Sequence, residues 1–224
     1  MQGPAQREPA RGAEETDSYR LRLLEGLAAA VLERGYAKST IADIVKNARV
    51  SKRTFYEHFA DKEECFLALY EAAIDFLIQG IDHALRAPAK SWEAQLEAGL
   101  DAYLAPLETN PTLTRACLLE IQAAGPRGLE YRLRGHERFA LLLRSFVERI
   151  RSDHPELRPL SASMATAVVG GIDELLLLEH RSVRGSSVSA DARLTELRET
   201  ATELIRAVIG APPRLSREKK ARPT

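Results

Sequence analysis

The chain has 224 residues, 45% of them apolar and 29% charged; this allows one large folded unit or two small ones, and no apolar run approaches the roughly 20 residues of a membrane span. Its 2 cysteines and 5 histidines lack ligand spacing, which sets aside a disulfide framework and a metal centre, and no cofactor is expected. The formal net charge of +0 conceals a division, because residues 17–62 carry nine Lys and Arg against six Asp and Glu, residues 214–224 carry five against one, and residues 63–213 sum to −6: a basic module is joined to an acidic body.

The first 16 residues are polar and lack the apolar middle of a secretory signal, so residues 1–16 read as a disordered arm of a cytoplasmic protein. From there apolar residues recur at helical spacing, with no hairpin signal, and the predicted fold class is all-α. Leu23, Leu24, Leu27, Val31 and Leu32 form the stripe of a first helix that Gly35 ends in a left-handed cap. Thr40, three before Asp43, opens a short helix to about Ala48 with Ile41, Ile44 and Val45 inward. Ser51 caps a third helix whose buried edge is Phe55 and Phe59. Asp61 and Glu64 repeat the capping pattern before a long helix through Cys65, Phe66, Leu69 and Phe76 to about Leu85.

Ser91 begins a helix with Trp92, Leu96, Leu100, Tyr103 and Leu104 on one face, and Asn110-Pro111 pairs an N-cap with a first-turn proline. Gly125-Pro126 introduces a helix carrying Leu133, Phe139, Leu142, Leu143 and Phe146 that stops near His154-Pro155. The segment from about Ser161 to Arg181 is apolar around most of its circumference, as expected of a helix that meets both its own core and a partner molecule. Ala190 to Ile209 shows a narrower seam, and the basic tail 211–224 reads as unstructured.

Two short helices joined by a tight turn, the second bearing outward cations, form a unit whose second helix can enter a major groove. Ser51 starts that helix, Val50, Phe55 and Phe59 face inward, and Lys52, Arg53, Tyr56 and Glu57 are left to meet DNA. Residues 20–66 closely resemble the DNA-binding domain of TetR-family regulators, notably at Gly35-Tyr36, Thr40-Ile41, Ile44, Val50-Ser51, Thr54-Phe55-Tyr56, His58-Phe59 and Lys62. The resemblance implies phosphate contacts at Thr40, Thr54, Tyr56, His58 and Lys62, groups that position a protein without reading sequence. Lys52 and Arg53 are the candidates for base readout; Arg53 either grips guanine with its planar fork or pairs with Glu57 four residues on. Arg49 stands where the family usually has Gly, and a left-handed conformation there costs about 1 kcal/mol. Gly26 stands where Ala is usual and is expected to weaken the first helix by roughly 0.5 to 1 kcal/mol.

The expected organisation is a helix-turn-helix domain at 17–62 and a helical ligand-binding and dimerisation domain at 63–210. Tyr103, Cys117, Glu120, Tyr131, Phe139, Phe146, Met164 and Val168 are candidates to line a ligand cavity, ordinary core being the alternative for each. Gly170-Gly171 in mid-helix calls for close approach of a partner helix, so Gly170, Gly171, Glu174, Leu178, Leu194, Leu197, Ala201, Leu204, Ile205 and Val208 are expected at a homodimer interface. Buried Cys65 reads as an inert thiol. No Gly-rich phosphate loop, HExxH or GxSxG appears in residues 67–213, and an enzyme is not expected. The resemblance implies a repressor that holds a palindromic double-stranded operator and is released by a small-molecule effector. An activator or ligand-independent regulator using the same domain is the alternative.

Overall fold

The computed structural model describes the backbone of residues 8–121, 124–182 and 190–210, with side chains for 17–114, 116–121, 124–179 and 195–210. These residues form nine α-helices and one π-helical turn, with no strand among them. They are α1 (Glu8–Arg34), α2 (Ile41–Ala48), α3 (Lys52–His58), α4 (Lys62–Arg86), α5 (Trp92–Thr109), α6 (Pro111–Arg115) with the π-turn Ala116–Glu120, α7 (Gly125–Arg151), α8 (Ala162–Ser182) and α9 (Ala190–Ile209).

Helix α1 takes in residues 8–16, which the sequence reading assigned to a disordered arm. The physical reason is local: Glu, Ala and Arg are strong helix formers, and Pro9 falls in the first turn, where its missing N–H has no helical bond to lose. At the other end Gly35 adopts φ 78° and donates its N–H to the Val31 carbonyl at 2.8 Å, the left-handed stop that the sequence implies. Helix α2 has a complete capping box, with Thr40 Oγ1 accepting from the Asp43 N–H at 3.2 Å and the Thr40 N–H donating back to the Asp43 carboxylate at 3.0 Å. Ser51 and Asp61 cap α3 and α4 through bonds from the N–H groups of Thr54 and Glu64. Asn110 makes no side-chain cap; its backbone lies outside the extended region, so Pro111 alone marks that helix start.

Two large apolar cores, with a small third cluster of Leu104, Leu176 and Leu197, divide the described residues. The first joins α1, α2 and α3 to the N-terminal half of α4 through Leu23, Leu27, Val31, Ile44, Phe55 and Phe66, each fully buried, and extends to Ala116 and Ile121. The second gathers the end of α4 at Leu85 with α5, α7, α8 and α9. Helix α4 therefore belongs to both. Leu32, Phe76 and Leu133, expected on buried stripes, are exposed. The seam of α9 turns inward: Leu197, Ala201 and Ile205 are buried in the chain's own core, with Leu204 and Val208 packed beside it. That burial removes the three from the expected dimer interface, because an a/d pattern records a buried edge without recording what covers it. Leu194 lies outside the described side chains. Among the described residues no helix is long and apolar enough to cross a membrane.

Candidate functional site

The helix-turn-helix is set by the seating of α2 on α1. A Cβ at Gly26 would come within 2.6 Å of the Ile44 carbonyl oxygen and 2.9 Å of the Ala48 nitrogen. Glycine therefore permits backbone-to-backbone contact between the helices, which corrects the reading of Gly26 as only a weak point in α1. Asn47 Nδ2 donates to the Gly26 carbonyl at 3.3 Å. Arg22, not singled out from the sequence, reaches across from α1 and donates to the carbonyls of Ala48 and Arg49 at 2.7 and 2.8 Å, satisfying the bare C-terminal end of α2. Arg49 takes φ 53°, ψ 47°, the left-handed conformation expected of that turn.

Behind α3, Phe55 and Phe59 are anchored in the first core, their ring centroids 5.8 Å apart. Its outer face carries Lys52, Arg53, Tyr56 and Glu57, all exposed, with Thr54 and His58 half-buried at its sides. Arg53 Nε donates to Glu57 Oε1 at 3.0 Å while the Arg53 side chain keeps 89% of its surface exposed. The pair with Glu57 thus uses one nitrogen and leaves the terminal fork outward. The Ser51 and Thr54 hydroxyls lie 2.9 Å apart at the N-terminus of α3, and Thr40 is exposed at that of α2. Both helix starts thus offer N–H groups to an anion.

Lys62 is placed differently from a free phosphate contact. Its Nζ donates to the carbonyls of Tyr36 and Ser39, each at 3.0 Å, and lies 4.2 Å from the Tyr36 ring centroid. Burial holds its ammonium below the ordinary lysine value, against the pull of Glu120. This cation fastens the first turn of α4 to the α1–α2 loop. The Cys65 and Cys117 thiols are pushed up to about 12 by burial, which makes both poor nucleophiles.

The second candidate site is a cavity of about 410 Å³, open on one side, lined by α4, α5, α6 with the π-turn, α7, α8 and α9. Of the expected lining residues, Tyr103, Cys117, Phe139 and Phe146 are in its wall. The others are elsewhere. Tyr131 packs on the first core, Val168 is buried in the second, and Met164 is 47% exposed. The Glu120 Oε1 atom lies 3.9 Å from where a Cβ of Gly35 would stand. This carboxylate sits beneath the α1–α2 turn instead of in the cavity, and its Oε2 is buried with no hydrogen-bond partner among the described residues.

Sequence reasoning picked out Tyr103 but missed the rest of the cavity's polar pole. Tyr70, Tyr103, His136 and Asp173 line it. Arg132 donates to Asp173 Oδ2, and His136 Nε2 lies 3.4 Å from the same oxygen. Burial alone would raise the Asp173 carboxyl, yet the bonds from His136 and Arg132 hold it below the ordinary carboxylate value. A helical wheel through Val169, Ile172 and Asp173 puts the aspartate on the cavity side of α8 and its neighbour Glu174 outside, so helical periodicity carried the signal for Asp173.

On α8, Glu174 and Leu178 are exposed, a Cβ at Gly170 would meet nothing within 4 Å, and one at Gly171 would lie 3.7 Å from Leu204 Cδ2. Nothing among the described residues requires glycine at position 170.

Residues 23–69 match the family model described as bacterial regulatory proteins, tetR family. Over 87 residues the chain is 32% identical to the HTH-type transcriptional activator FasR of Mycolicibacterium smegmatis, a segment that is 39% of this chain and 39% of that relative. Over 77 residues it is 36% identical to the HTH-type transcriptional regulator TtgR of Pseudomonas putida, 34% of this chain and 35% of the relative. These alignments span well under half of the relatives' length. The fold matches the transcriptional regulator FadR from Bacillus subtilis, solved in complex with stearoyl-CoA, with a TM-score of 0.68 at 17% identity over 84% of this chain and 98% of that one. It matches a TetR-family regulator from Pectobacterium atrosepticum with a TM-score of 0.69 at 18% identity over 92% and 100%. The fold is thus a helix-turn-helix domain followed by a larger helical domain.

Proposed function

We infer the function from one premise, that the chain belongs to the TetR family of bacterial regulatory proteins through its helix-turn-helix domain. It is a sequence-specific DNA-binding regulator of transcription that works as a homodimer and is controlled by a small molecule in the helical cavity. The observation that carries this reading is the outward face of α3, where Lys52, Arg53 and Tyr56 stand exposed in front of the buried Phe55 and Phe59. Two such helices related by a twofold axis enter successive major grooves of a palindromic operator. The hydroxyls and helix starts at Thr40, Ser51 and Thr54, with His58 beside them, take the phosphates and fix the register. The partner helix packs on the α8 face of Gly170, Glu174 and Leu178, where Glu174 and Leu178 are exposed and a Cβ at Gly170 would meet nothing within 4 Å among the described residues.

Control runs through α4 and the π-turn. Helix α4 walls the cavity from Leu69 to Leu85 and is fastened at Lys62 to the α1–α2 loop. The π-turn places Cys117 and Leu118 in the cavity wall and Glu120 beneath Gly35, and such turns mark functional sites more often than chance. An occupant that displaces either element changes the spacing of the two reading helices, and repression is relieved. The operator then weakens ligand binding by the same factor. An activator is the second reading, favoured by the name of the FasR relative; reporter transcription in a strain lacking the gene separates the two.

The test is selection of bound duplexes from a random pool by the full chain. The expected result is an enriched palindrome whose half-sites are spaced by a whole number of helical turns, roughly 10 base pairs each. A pool that emerges without enrichment would contradict the regulator reading.

A further inference from the structure

The cavity in this reading has walls mostly of Leu, Ile and Phe, with Asn110 and Thr114 also in its lining and its ionisable groups gathered at one pole around Asp173, and that pole specifies what can bind. We propose that the cavity takes an uncharged lipophilic molecule bearing a hydroxyl group, which the phenols of Tyr70 and Tyr103 and the open Oδ1 of Asp173 recognise. The inference rests on the ligand-controlled reading above and names its ligand class.

Three observations select this chemistry. Arg132 and His136 both address Oδ2 of Asp173, so among the described residues its Oδ1 carries no bond and stays an open acceptor toward the cavity that Asp173 lines. The hydroxyls of Tyr70 and Tyr103 likewise make no hydrogen bond to the described residues, although Tyr70 is buried and Tyr103 is fixed edge-on to Phe139 at 5.6 Å. Each hydroxyl stays available to a ligand that enters the cavity both residues line. Finally, the charges at the pole are already balanced. Asp173 is paired with Arg132, which leaves no net negative charge to hold a cation. The guanidinium of Arg132 is committed to Asp173 and does not itself line the cavity, so it is not placed to meet a carboxylate. A hydroxyl both donates to Oδ1 and accepts from a phenol, so it suits all three groups at once. The volume of about 410 Å³ lies at the lower end of the roughly 300–1,000 Å³ usual for ligand sites, which favours a short chain or a small ring system.

The experiment is isothermal titration of the full chain, without DNA, with octan-1-ol, octanoate and octylammonium at neutral pH. These probes share a chain and differ only in the head. Octan-1-ol is expected to bind at least tenfold more tightly than either ion. Tyr103→Phe keeps the ring and its contact with Phe139 and should weaken octan-1-ol by about fivefold, the loss of one hydrogen bond, with the melting temperature reporting that the fold is kept. Equal or tighter binding of octanoate or octylammonium would overturn the proposal, as would no binding by any of the three or an unchanged octan-1-ol affinity in Tyr103→Phe. Because DNA is absent, failure here leaves the operator selection standing, and failure of that selection leaves this result standing.

Discussion

On the proposed reading, Arg53 is one side chain that serves both the free protein and its complex with DNA. Its Nε is held by Glu57 at 3.0 Å, which fixes the direction of the guanidinium while leaving its fork free for O6 and N7 of a guanine. Replacing Arg53 by Ala is expected to relax the selected operator at one position in each half-site, at a cost of about 1 to 3 kcal/mol for that base. Weakening that is uniform over all sequences would assign Arg53 to phosphate. Asp173 carries a second prediction at this scale. Its carboxyl titrates below its unfolded value of 3.8, so the stability it contributes is fully present above that pH and is lost as pH falls through the depressed folded value. Acid unfolding followed by circular dichroism should therefore begin at higher pH in Arg132→Met, where the carboxylate has lost that partner, than in the wild type.

Among the elements, α2 and α3 were the most legible, because their boundaries depend on contacts within three residues. Thr40 with Asp43, and Ser51 with Thr54, fix helix starts whatever surrounds them. The seating of α2 on α1 was not legible, since it depends on residues 18 to 22 positions apart. Gly26 read as a helix weakness, whereas the structure makes it the point of contact with Ile44 and Ala48. Gly26→Ala is accordingly expected to destabilise the chain by about 1 to 3 kcal/mol in thermal unfolding, against the gain of up to about 1 kcal/mol that helix propensity alone would give. A rise in melting temperature would show that α1 and α2 are free to separate. Helix α8 was half legible for a similar reason. An apolar circumference announces more than one buried face, but it does not say which face meets the core, which the cavity and which a second molecule; Val168 faces the core, Val169 the cavity and Leu178 the outside.

For the whole molecule the sequence carried the division into a basic reading head and an acidic helical body, because charge and periodicity survive without coordinates. The cavity was only partly readable, since its wall draws on six helices and its pole joins α4, α5, α7 and α8. The face at Gly170 sets the assembly prediction. A side chain there has open space within the chain, so Gly170→Arg should preserve helicity and melting behaviour while blocking a partner helix, and sedimentation equilibrium should report a monomer. An intact dimer would place the interface elsewhere. The most direct test of the central claim, that α3 presents a DNA-reading face, is the affinity of the full chain for its selected operator over a series of salt concentrations. The account predicts a log–log line of negative slope, with scrambled DNA bound far more weakly. Affinity indifferent to salt, or equal for operator and scrambled duplex, would contradict it.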